Sequence, residues 1–149
     1  MPRTDDSTAL PRCLRSGLRA AALHLKQGQA RGHVSPTLWS GTPGQEHDPW
    51  RTASFPDPSG PGRGSPDAGL RLEVALALAH LVTPTVAAPH FWVTRSGEPE
   101  LWTSDHAWLA AVWSACGELD LPTSFAVVTR TGWLHVPSGC THRWKRLRA

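Results

Sequence analysis

Val93-Thr94-Arg95-Ser96-Gly97 returns thirty-five residues later as Val128-Thr129-Arg130-Thr131-Gly132, each time behind a stretch rich in Leu, Ala and Trp. Recurrence at a fixed spacing of this size is the signature of a repeated supersecondary unit. Each copy joins β-favouring residues to a glycine that supplies positive φ beside a Ser or Thr, and so reads as a strand running into a turn. Convergence of two unrelated turns on the same residue types is the competing explanation.

Ahead of the first copy, Leu70 to Val82 mixes Leu with Ala75, Ala77 and Ala79, which favours helix over the strand that alternating Leu72, Val74, Leu76 and Leu78 would form. Asp67 is placed to cap it, and Pro84 and Pro89 stop it, leaving His90 to Thr94 as a strand. Ser96-Gly97 turns the chain, and Glu100-Leu101-Trp102-Thr103 reads as the return strand of a hairpin. Ser104 or Asp105 caps a second helix whose apolar stripe is Trp108, Val112, Ala115 and Leu119, widened by Leu109, Trp113 and Cys116. Beyond Gly117 and Pro122, residues 124–129 form a strand, Thr131-Gly132 a turn, and residues 133–136 the last strand. The expected fold class is α+β: two helix-plus-hairpin units (αββ-αββ) giving four antiparallel strands with two helices on one face.

From Val34 to Gly69 the chain holds seven Pro and six Gly in thirty-six residues, a density typical of flexible chain. Residues 7–45 contain no acid but carry Arg12, Arg15, Arg19, Lys26 and Arg31, with Leu10, Leu14, Leu18 and Leu25 at near-helical spacing. A transit-type segment has this character; a solvated basic helix or arm is the plainer reading. The expected organisation is a largely disordered Pro/Gly-rich arm over 1–68 with a basic helix near 8–27, an α+β domain over 69–138, and a basic tail over 139–149.

Composition narrows the class. The chain has no Ile, Asn or Tyr, two Lys and eight Trp, a pattern that tracks a GC-rich genome. Its three cysteines, Cys13, Cys116 and Cys140, are too few and scattered for a disulfide framework. No apolar run reaches the roughly 18 to 20 residues that a membrane helix requires. A cytoplasmic location without membrane association is the expectation.

The net charge of +3 is unevenly spread: residues 1–69 hold eight Lys or Arg against six acids, 70–138 hold three against six, and 139–149 hold four against none. An acidic folded part with basic ends does not suit groove reading of DNA through the folded face. Any nucleic-acid contact would fall to Arg143, Lys145, Arg146 and Arg148, with Trp144 to stack on a base and the N-terminal segment assisting. Arg95 and Arg130, at equivalent turn positions, are candidates to clamp an anion, against the alternative of solvated turn residues.

No motif fixes a reaction. His135, Cys140 and His142 with Cys116 match no zinc pattern, and Cys140 with His135 or His142 and Asp105 or Asp120 lacks the frame of a nucleophile elbow. The glycines around Gly62 precede no strand-to-helix turn and make no phosphate loop. Neither cofactor nor metal is expected, and no known family's motifs are carried. The primary expectation is a non-catalytic protein-interaction or regulatory module that meets a protein partner, or a second copy of itself, through Trp92, Trp102, Trp108, Trp113 and Trp133. The alternative is a nucleic-acid-binding accessory protein acting through the tail and N-terminal arm; a Cys/His hydrolase or metal protein ranks below both.

Overall fold

The computed structural model describes residues 10–59, 64 and 66–148. Its elements are α1 (Arg12–Gly28), β1 (Thr37–Gly41), β2 (Thr52–Pro56), α2 (Ala68–Val82), β3 (His90–Thr94), α3 (Thr103–Leu119), β4 (Phe125–Thr129), β5 (Gly132–Val136) and β6 (Thr141–Arg143). The fold is α+β, with six strands in the order β2-β1-β3-β4-β5-β6. β3 and β4 run parallel and every other neighbouring pair antiparallel, so the sheet is mixed. No helix among the described residues is long and apolar enough to cross a membrane.

Alternation along the strands sends side chains to two cores. Phe91 and Val93 of β3, Phe125 and Val127 of β4 and Leu38 of β1 pack against α2 and α3 through Ala75, Leu78, Trp108, Val112 and Ala115. Trp92, Ala126, Val128 and Trp133 face the other way, onto Leu14, Leu18, Ala21 and Ala22 of α1. Covered on both faces, β4 is buried at all five positions, as a central strand of a three-layer fold should be.

Four antiparallel strands with helices on one face are therefore replaced by six mixed strands with helices on both. The first repeat unit differs because residues 100–103 are not a strand. There the carbonyls of Ser96, Glu98 and Glu100 accept hydrogen bonds from the Arg95 guanidinium, so a loop forms around that side chain in place of a β-ladder. The thirty-five-residue spacing does hold for helix and strand starts: α2 and α3 begin at 68 and 103, β3 and β4 at 90 and 125. Only the second copy forms a hairpin, β4 to β5.

The expected disordered arm is also corrected over its described residues. Residues 12–28 form α1, and β1 and β2 complete one side of the sheet. The clustered Pro and Gly there serve turns. Gly41, at φ 124°, ends β1 where a Cβ would run into the Arg51 carbonyl oxygen. Asp57, in the same segment, accepts from the Trp108 indole Nε1 at 2.8 Å. The parts of the arm at 1–9, 60–63 and 65 lie outside the described residues. Nor is 139–149 simply a tail: β6 pairs with β5, and Leu147 is buried against α1.

Candidate anion-binding cleft

α1 is amphipathic. Leu14, Leu18, Ala21 and Ala22 enter the core, which leaves Arg12, Arg15, Ser16 and Arg19, at spacings of three, one and three, on a face turned from it. Beside that face lies the β5–β6 end of the sheet. Together Arg12, Arg15, Ser16, Arg19, Trp133, His142 and Trp144 line a cleft of about 240 Å³.

Its two walls differ in chemistry. The helix wall is cationic, its arginines spread over about 10 Å at the α-helical rise per residue. Among the described residues no carboxylate pairs with any of the three, whereas Arg143, which does not line the cleft, pairs with Glu98. The sheet wall is aromatic. His142 lies nearly parallel to Trp133, with ring centres 6.1 Å apart, and edge-on to Trp144 at 5.0 Å. Trp133 is buried while His142 and Trp144 are half-exposed.

Backbone contacts hold the last residues in place: Trp144 N–H donates to the Thr131 carbonyl at 2.9 Å, and Lys26 Nζ donates to the Leu147 carbonyl at 2.8 Å. Arg19 donates to the Arg148 carbonyl. The Leu147 and Arg148 carbonyls are thus held by the basic helix, which brings the exposed basic C-terminal residues to the helix's end of the sheet from more than a hundred residues away in the chain.

The other candidate residues fall elsewhere. Trp92, Trp108 and Trp133 are at most 2 % exposed and pack the two cores; Trp92 and Trp108 offer a partner no surface, and Trp133 shows only the edge that backs His142 in the cleft. Trp102 and Trp113 are 41 % and 51 % exposed, and Trp102 is occupied by the Arg95 guanidinium 3.6 Å from its ring centre. Arg95 is itself buried in an ion pair with Asp105, Nη2 to Oδ2 at 2.7 Å, so it clamps no external anion. Arg130 donates to the carbonyls of Gln29 and Gly32 and fixes the loop after α1. The two arginines of the repeated pentapeptide are thus both internal staples.

The Cys/His and metal constellations do not assemble. Cys116 and Cys140 lie in cores on opposite faces of the sheet, and among the described residues no group of three or more His, Cys, Asp and Glu could hold a metal ion. Both ring nitrogens of His135 are taken, Nε2 by Ser124 Oγ at 2.8 Å and Nδ1 by Ser138 Oγ at 2.6 Å. Ser124 Oγ also meets His90 Nδ1 at 2.6 Å, completing a His90–Ser124–His135–Ser138 chain across the ends of β3, β4 and β5. Burial, followed by the neighbouring His90, pushes the His135 pKa down to about 4, and burial lowers that of His90. None of the four lines the cleft. Sequence spacing alone could not have found this chain, because its members meet only through strand pairing; the arginine row at 12, 15 and 19 was legible, but not its aromatic counterpart.

No family model, curated protein or solved structure matches this chain.

Proposed function

We propose that the protein is a non-catalytic binding module for single-stranded nucleic acid, which it holds in the cleft between α1 and β6. The observation that carries this reading is the union in one cleft of three arginines from α1 with half-exposed His142 and Trp144. Arginines neutralise phosphates, and an aromatic face accepts an unpaired base whatever its identity. The surrounding Lys145, Arg146 and Arg148 extend the positive field. Protein docking through the tryptophans draws less support, since three of the five are interior.

The test is fluorescence anisotropy of a labelled oligo-dT of about 12 nucleotides, within the usual span of a single-strand site. Contact with three to five phosphates gives a slope of log K against log salt of about −2 to −3.5. Arg12→Gln with Arg19→Gln flattens that slope by about 1.4, and Trp144→Ala weakens binding by about 1 to 3 kcal/mol. A duplex of equal length binds more weakly because its bases are not free to stack. The reading fails if the single strand does not bind at low salt, or if it binds equally well to both variants. Point substitution is the suitable tool, since removing residues 141–149 would also take away β6 and buried Leu147.

A further inference from the structure

The arginine-lined cleft has one closed end. Arg12, Arg19 and Lys26 follow one another at seven-residue intervals, about two helical turns, and so lie along one stripe of α1. Arg12 and Arg19 line the cleft. Beyond Arg19 the stripe is crossed by the last described residues. Arg19 Nη2 donates to the Arg148 carbonyl and Lys26 Nζ to the Leu147 carbonyl at 2.8 Å. The Leu147 side chain, 4 % exposed, packs in the same core as Leu14, Leu18 and Ala22 of the helix. A strand laid along the helix wall from Arg12 towards Arg19 therefore runs into residues 147–148 and has to end or turn out there.

Size and charge also favour an end. At about 240 Å³ the cleft is smaller than the roughly 300 Å³ at which pockets for drug-sized ligands begin, so it holds one nucleotide rather than a run of them. Facing that nucleotide are three arginines without carboxylate partners among the described residues. An internal phosphodiester brings a single negative charge. A terminal phosphomonoester brings about −1.5 to −2 at pH 7 and, with the diester beside it, comes close to neutralising all three arginines. Its unesterified oxygens also suit the planar N–H forks of Arg15 and Arg19. Arg15 uses Nε on the Leu10 carbonyl at 3.2 Å and Arg19 uses Nη2 on the Arg148 carbonyl, and no described residue engages their other donors.

We propose that the cleft is an end-binding site: it takes the phosphorylated terminus of a single strand, with the phosphomonoester against Arg15 and Arg19 at the closed end and the terminal base on His142 and Trp144. The inference rests on the single-strand reading above and adds to it which part of the strand is held.

Competition against the labelled oligo-dT tests it, using unlabelled strands of about 12 nucleotides that carry a 5′-phosphate, a 3′-phosphate or hydroxyls at both ends. One of the two phosphorylated strands, and not the other, binds about tenfold or more tighter than the dihydroxyl strand, and phosphatase treatment removes the advantage. Only one end fits because the wall of His142 and Trp144 fixes where the base sits relative to the phosphate. Arg19→Gln cuts the advantage to about threefold or less, whereas Arg12→Gln, remote from the closed end, weakens phosphorylated and dihydroxyl strands alike. If Arg19→Gln does not fold, Arg15→Gln reads the same loss. Equal binding of all three strands, or an equal gain from either phosphate, overturns end binding and leaves the single-strand reading standing. Binding by none of them at low salt overturns both.

Discussion

Removing the Arg95 guanidinium by Arg95→Met is expected to cost about 3 to 5 kcal/mol of folding stability, the range for breaking one side of a buried ion pair. Arg95 and Asp105 are each 1 % exposed. Nε donates to both Asp105 oxygens, at 3.1 and 3.2 Å, and Nη2 reaches Oδ2 at 2.7 Å. Nη1 donates to the carbonyls of Ser96 and Glu98, and Nη2 to that of Glu100. Asp105 in turn accepts from the Trp102 N–H at 2.8 Å, capping the first turn of α3. Methionine would fill much of the volume but leave the carboxylate buried with one remaining donor. Lysine is no substitute, because three donors on a point charge cannot span a carboxylate and three carbonyls in the planar arrangement of a guanidinium. Urea unfolding followed by tryptophan fluorescence measures the loss, and the melting temperature should fall by roughly 10 °C or more. The double variant Arg95→Met, Asp105→Leu should recover part of it, since no charge then remains buried. A loss under about 1 kcal/mol for Arg95→Met, or full rescue by lysine, would refute this account of how the Arg95–Trp102 loop is held.

Four further outcomes are expected. With His135 at about 4 in the folded protein against 6.5 as its ordinary value, the unfolded chain takes up the proton first; stability is complete above about pH 6.5 and falls towards pH 4, by roughly 3 kcal/mol from this group, which urea midpoints measured across that range would reveal. Gly97→Ala destabilises by about 1 kcal/mol or more, because φ is 100° and the new Cβ meets the Trp102 ring stacked on Arg95; thermal denaturation beside the tolerant Gly28→Ala, where no atom lies within 4 Å, gives the comparison. Trp108→Phe costs about 1 to 3 kcal/mol by stranding Asp57, whose burial would raise its pKa but whose bonds from Ser59 and Trp108 hold it below the usual value; half-exposed Trp113→Ser should change the unfolding free energy from urea titration by under about 0.5 kcal/mol.

Local signals placed α2, α3 and β3 to β5 within a few residues, because helix propensity, side-chain alternation and caps act over short stretches of chain. Asp67 is the clear instance: read as a cap, it accepts from the Leu70 N–H at 2.7 Å. The same local logic failed where the partner was distant. Glu100-Leu101-Trp102-Thr103 has the residues of a strand, but its neighbourhood is organised by Arg95, whose destination no spacing rule reveals. The run of Pro and Gly from 34 to 69 was indistinguishable from a linker until β1 found β3, whose first residue His90 pairs with Gly41 across the whole of that run and α2. In the candidate cleft, the basic face of α1 could be read from periodicity, while His142 and Trp144 came beside it only when β6 added to the sheet edge.

The sequence by itself determined α2, α3 and β3 to β5, a basic helix near α1 with its amphipathic face, and the two basic blocks at 12–31 and 143–148. Tertiary structure alone decided that β3 and β4 run parallel, that the sheet is covered on both faces, which tryptophans are interior, and that the two basic blocks share one surface. The division has a physical cause: propensity and periodicity are encoded within a few residues, whereas strand pairing and the burial of an arginine depend on which distant groups satisfy their hydrogen bonds and exclude water.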